Sequence, residues 1–95
     1  MANNVLKNNQ DYRAIGEWNN NIGSYFYKTK NFSEAEKYWN NALTNFAKID
    51  DQFGSFDTYY YLSNLKQAQN KTDEALQFAL KAKNLAYKIN VLEHK

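Results

Sequence analysis

The chain repeats itself at a constant spacing of about 40 residues. Glu34-Ala35 returns as Glu74-Ala75, Ala42 as Ala82, and Lys48-Ile49 as Lys88-Ile89. Glu17/Asp57, Ile22/Leu62, Gly23/Ser63, Tyr38/Phe78 and Asp50/Asn90 match conservatively in the same register, without a gap. Self-similarity at a fixed period of this size marks stacked supersecondary units, each burying its apolar face against the next. The matched positions are packing positions. Small residues at Gly23/Ser63, Ala35/Ala75 and Ala42/Ala82 let two backbones approach, and large ones fill the space between.

Each unit reads as two helices. From Asp11 to Lys30, apolar residues recur at Ile15, Trp18, Ile22, Tyr25 and Phe26, the spacing of one helical face. Lys28-Thr29-Lys30-Asn31 ends this helix, because basic residues suit a C-terminus and Asn31 tolerates a left-handed cap. Ser33, with Glu36 three residues on, has the pattern of a capping box. The second helix carries Ala35, Tyr38, Trp39, Ala42, Leu43, Phe46 and Ile49 inward, until Asp50-Asp51-Gln52-Phe53-Gly54 breaks it. A third runs from about Ser55 to Gln69 with Tyr59, Leu62 and Leu65 on one side. After Asn70-Lys71, Thr72 serves as N-cap, with Asp73 and Glu74 where the helix dipole favours acids. The fourth presents Ala75, Phe78, Ala79, Ala82, Leu85, Ala86 and Ile89.

The spans expected are near 10–30, 33–50, 55–69 and 72–91, all-α with no strands, and the short loops make neighbours antiparallel. One domain, 1–95, contains repeat 1 (about 10–50) and repeat 2 (about 51–90). Residues 1–9 fall where a preceding helix would finish. Trp18, Trp39, Tyr38 and Phe78 are expected in the core. Tyr59-Tyr60-Tyr61 spans about 200° of helix, so Tyr59 is assigned inward, and Tyr60 and Tyr61 outward like Tyr27.

Composition removes several function classes. Without cysteine there is no disulfide framework, thiolate nucleophile or cysteine-bound zinc. Twelve basic against ten acidic residues is too even a balance to point to nucleic acid or an anionic membrane. Neither a signal peptide nor a transmembrane stretch is recognisable, so a cytoplasmic location is expected. His94 is the single histidine, at the tail beside Glu93. Asp50-Asp51 and Glu34/Glu36 read as helix-terminus acids rather than paired catalytic acids. No enzyme, cofactor or metal is expected. The fifteen Asn, and the eleven Lys against one Arg, are read mainly as codon bias.

The stretch from Asn21-Ile22-Gly23-Ser24-Tyr25-Phe26-Tyr27-Lys28 through Asn31-Phe32-Ser33-Glu34-Ala35-Glu36-Lys37-Tyr38-Trp39-Asn40-Asn41-Ala42-Leu43 resembles a tetratricopeptide repeat. Leu62-Ser63, Asp73-Glu74-Ala75-Leu76 and Ala82 form a weaker copy, with Lys66 and Thr72 where aromatics are usual. The likeness covers about residues 10–90. The spacing exceeds the family's usual period of about 34, as in the long-helix subclass of kinesin light chains and bacterial peptide-pheromone sensors.

The resemblance implies a helical-hairpin solenoid acting as a protein- or peptide-binding module, with first helices lining a concave surface. Here that stripe is Glu17, Asn20, Asn21, Ser24, Tyr27 and Lys28, then Asp57, Tyr60, Asn64, Gln67 and Ala68. Amides there can donate to and accept from an extended peptide backbone. Asn20 and Tyr60 stand where a chaperone-binding subclass clamps a carboxylate with Lys, so that specificity is not expected. Two other readings stand beside this one. One is self-association through exposed repeat ends, where Leu76 and Leu80 lack cover. The other is the sensor fragment of a peptide-responsive bacterial regulator.

Overall fold

The computed structural model describes residues 9–93, and side-chain surroundings for 10–90; residues 1–8 and His94 lie outside the described residues. The described part is four helices and no strand: α1 (Asn9–Lys28), α2 (Phe32–Lys48), α3 (Gln52–Ala68) and α4 (Thr72–Glu93). Each helix packs on its sequence neighbours. α1 also reaches α3, while α4 touches only α3. The Cα atoms fill a slab 16 Å thick, about two helix layers.

The three turns are one structure used three times. Lys30, Asp50 and Asn70, evenly spaced along the chain, each adopt left-handed backbone with φ of 66°, 54° and 63°. The residue after each donates its N–H back to the preceding helix: Asn31 to Phe26, Asp51 to Phe46 and Lys71 to Lys66, at 2.8–2.9 Å. The left-handed residues themselves donate to Tyr27, Ala47 and Gln67. This pair of bonds is the Schellman closure, and it satisfies carbonyls the helix would otherwise orphan. The left-handed position is thus Lys30, not Asn31, whose φ is −90°.

Three helix starts differ from the sequence reading. α4 begins at Thr72 itself, so Lys71 rather than Thr72 is its N-cap, the Lys71 carbonyl accepting from the Ala75 N–H at 2.9 Å. α2 begins at Phe32, and Asn31 makes no side-chain cap bond. Ser33 and Glu36 form no capping box, because Ser33 already lies inside the first turn and Glu36 reaches across to Lys66 Nζ at 2.9 Å. α3 begins at Gln52 because Asp51 caps it, its Oδ1 accepting from the Gly54 N–H at 3.1 Å. The break assigned to residues 50–54 is therefore only the turn.

The core runs through α2. Ala35, Trp39, Ala42 and Phe46 are buried along one face of that helix, Ala35 and Trp39 in one cluster with Leu62 and Leu65 of α3. Trp39 lies between Tyr27 and Tyr61, with ring centroids 5.7 and 5.3 Å away. A Cβ on Gly16 or Gly54 would stand 2.6 or 2.4 Å from the Phe46 ring, and one on Gly23 2.5 Å from Trp39. The large rings of α2 therefore press onto bare backbone of α1 and α3.

This arrangement rotates α1 relative to its hydrophobic pattern. Its buried positions are Gly16, Asn20 and Gly23, whereas Trp18 is 65% exposed and Tyr25 61%. Trp18 is thus not a core residue. α2 supplies the volume, and the facing positions of α1 must be small. Tyr38 and Phe78 are half-buried, on Phe26 and Tyr59 respectively. Tyr27 and Tyr61, assigned outward from the sequence, are half-buried too, because Trp39 needs a ring on each face.

Candidate functional site

α1 and α3 lie side by side, and between their first halves opens a cavity of about 460 Å³. Arg13, Glu17 and Asn20 line it from α1, and Phe53, Gly54 and Asp57 from α3. Phe46 and Asp51 form the rest of its lining. Three residues of the predicted stripe (Glu17, Asn20 and Asp57) meet there. The sequence reading missed Arg13, Asp51 and Phe53. Arg13 lies one turn before Glu17 and is the only Arg in the chain, a signal that was present. Phe53 was hidden inside the assigned break.

Asn20 departs from its expected role. It is buried, its side-chain oxygen accepts from the Thr58 hydroxyl at 2.8 Å, and its backbone carbonyl accepts from the Trp39 indole N–H at 3.0 Å. Asn20 thus joins three helices and is needed by the core. Tyr27 is likewise engaged, against Phe32 and Trp39. Glu17, Asn21, Lys28, Asp57, Tyr60, Asn64 and Gln67 are exposed, and Ser24 is half-buried.

Charge in the cavity is mostly negative. Arg13 Nε donates to Asp51 Oδ2 at 3.1 Å, and among the described residues neither Glu17 nor Asp57 forms an ion pair. Burial, and then the charge of Asp51, raise the Asp57 pKa above its ordinary 3.8. A cationic or amide N–H group entering here would relieve that repulsion. Among the described residues, no group of three or more acidic or histidine side chains is placed to hold a metal ion. A second cavity of about 440 Å³ lies between the α2–α3 turn and α4, with Asp50, Asp51, Lys81 and Lys88 in its lining.

Lys66, which takes an aromatic position of the family pattern, is buried along its stem. Its ammonium lies 2.9 Å from Glu36 and 3.2 Å from Glu74, tying α2, α3 and α4 together. Burial pushes its pKa down, but hydrogen bonds to the two carboxylates more than offset this and hold it above 10.5. The aliphatic stem replaces the ring, and the charge stays at the rim. Ser63, the counterpart of Gly23, donates its hydroxyl to the Ala75 carbonyl at 3.0 Å.

None of the helices is long and apolar enough to cross a membrane, among the described residues. No curated protein and no solved structure matches the chain significantly. The family model for the tetratricopeptide repeat matches residues 14–88. That span takes in all three turns, the small-residue contacts and all of the α1–α3 cavity lining except Arg13, and the chain belongs to the tetratricopeptide repeat family.

Proposed function

We propose that this chain is a non-catalytic interaction module that holds an extended peptide segment of a partner protein along the α1–α3 surface, with a basic or amide-bearing side chain of that segment in the acidic cavity. The carrying observation is the cavity itself. Three acids line it against the single Arg13, and among the described residues Glu17 and Asp57 form no ion pair, beside the exposed Phe53 ring. Asn21, Tyr60, Asn64 and Gln67 are exposed on the same two helices and can pair with peptide groups without disturbing the core. The long repeat unit supports placement in the long-helix subclass, and with it the reading as a peptide-sensing segment of a larger regulator.

The test is calorimetric titration with peptide pools that differ only in carrying Lys/Arg, Asp/Glu or neutral side chains. Basic pools bind, and Glu17→Gln with Asp57→Asn weakens them at least tenfold. Equal binding of acidic and basic pools would overturn the cavity assignment.

A second reading, association of two copies through the repeat ends, is favoured by a separate observation. Trp18 and Tyr25 at one end and Leu76 and Leu80 at the other are all about half exposed or more.

A further inference from the structure

We infer that copies of this chain stack head to tail, the outer face of α4 in one copy seating on the outer face of α1 in the next, so that the contact continues the packing between the two internal repeats. This rests on the self-association reading and gives it a polarity and a pairing.

The argument is the repeat register applied to the internal interface. α3 buries Thr58 and Leu65 completely against the first hairpin. Their counterparts one repeat earlier are Trp18 and Tyr25, 65% and 61% exposed. α1 therefore carries, uncovered, the face that α3 uses for packing. The same shift applied to α2 gives the matching face of α4. Trp39 and Phe46, both buried, become Ala79 and Ala86, which are exposed.

Four internal pairs then predict four contacts between copies, and in three of them both sides change character together. Asn20 and Thr58 share a hydrogen bond of 2.8 Å; their counterparts are Tyr60 and Trp18 of the next copy, two exposed aromatics. Glu36 and Lys66 form an ion pair of 2.9 Å; their counterparts are Leu76 and Phe26 of the next copy, both apolar. Trp39 stacks on Tyr61, and the counterparts are Ala79 and Asn21. Phe46 presses on Gly54, and the counterparts are Ala86 and Ala14. None of these four sets a charge against an apolar group; the fifth cross-repeat pair, Arg13 with Asp51, maps to Phe53 and Asp11 of the next copy.

Bulk is exchanged as well. Inside the chain, the Phe46 ring on α2 meets Gly54 on α3. Between copies the bulk lies on α1, in Trp18 and Tyr25, and the small residues, Ala79 and Ala86, lie on α4. One face supplies the volume that the other lacks, as close packing requires. Both complementary faces belong to the same chain and are related by its own repeat, which selects a second copy as occupant. A contact between unlike faces leaves one of each free, so assembly is open-ended unless the rotation closes a ring.

The experiment is analytical ultracentrifugation of the full chain across a concentration series, with Trp18→Lys and Ala79→Lys alone and mixed. Wild type forms concentration-dependent oligomers beyond the dimer, and Trp18 emission shifts to the blue while buried Trp39 keeps its environment. Either variant alone stays monomeric, its dissociation constant raised at least tenfold. An equimolar mixture restores one intact interface and gives a 1:1 dimer that grows no further. A wild type that stays monomeric at several hundred micromolar overturns self-association altogether and leaves these faces to another partner. If wild type associates but one variant still self-associates normally, the contact joins like faces and the head-to-tail arrangement is wrong. Both substitutions are at exposed positions; should either perturb the circular dichroism spectrum, Trp18→Gln and Ala79→Gln carry the same comparison.

Discussion

Trp39 on α2 donates its indole N–H to the backbone carbonyl of Asn20 on α1, 3.0 Å away and out of reach of solvent. The ring can reach that carbonyl only because Gly23, one turn further along α1, has no side chain in the way. A helix carbonyl keeps a second lone pair after its own helical bond, so the buried indole is satisfied without breaking α1. The Asn20 side chain then takes the Thr58 hydroxyl of α3. One residue thereby links the first hairpin to the second.

Asn20→Ala is therefore expected to lower stability by about 1–3 kcal/mol, since Thr58 loses its partner across the helices and a buried gap is left. Asn64→Ala, on the exposed surface, should leave stability within about 0.5 kcal/mol of wild type. Thermal melts of the two variants side by side check this. Equal melting temperatures would return Asn20 to the surface role its stripe position implied.

Gly54→Ala forces a methyl group against the Phe46 ring, where the ideal Cβ position is 2.4 Å from a ring carbon. The same ring edge of Phe46 also abuts Gly16, so it has little room to give. The expected cost is about 1–3 kcal/mol. Chemical denaturation measures it, and Gly54→Ala combined with Phe46→Leu should recover part of the loss.

Lys30 holds a left-handed backbone at φ 66° without being glycine. Such a conformation costs an L-residue about 1–2 kcal/mol, part of which glycine gives back through its freer unfolded chain. Lys30→Gly is expected to stabilise by about 0.5–1 kcal/mol, read as a raised melting temperature. Asn70→Gly should gain less, because Asn tolerates this region better than Lys.

Asp57 and Lys66 give opposite pH signatures. The folded pKa of Asp57 is raised by burial and by Asp51, so folding takes up a proton there. Its contribution is most favourable below 3.8 and is lost as pH rises through the folded value. Asp57→Asn should flatten that acid-side slope and slightly stabilise the protein at neutral pH. Lys66 also has a raised folded pKa, through Glu36 and Glu74. Its contribution is fully present below 10.5 and is lost as pH rises from there through the higher folded value. Lys66→Met keeps most of the stem packing, should cost about 1 kcal/mol at neutral pH, and should remove the alkaline slope. Melts taken from acid to alkaline pH separate the two residues.

The sequence by itself determined the number of helices, their rough limits and their repeat, because apolar periodicity and the self-match at one period are properties of the chain order. It also marked the small residues that permit close packing, and the exposed Leu76 and Leu80 on α4. Only tertiary structure decided which face of α1 turns inward. The periodicity pointed to Trp18 and Tyr25, yet the rings of α2 already fill the interior, so the partner face had to be Gly16, Asn20 and Gly23. A residue's volume is written in the sequence; whether its neighbour has already supplied that volume is not. For the same reason Asn20 and Tyr27 changed from surface to interior. Lys66, which breaks the family pattern, found two carboxylates, one on the helix before its own and one on the helix after. Arg13 and Asp51, far apart in the chain, came together at the cavity rim only because α1 and α3 lie side by side.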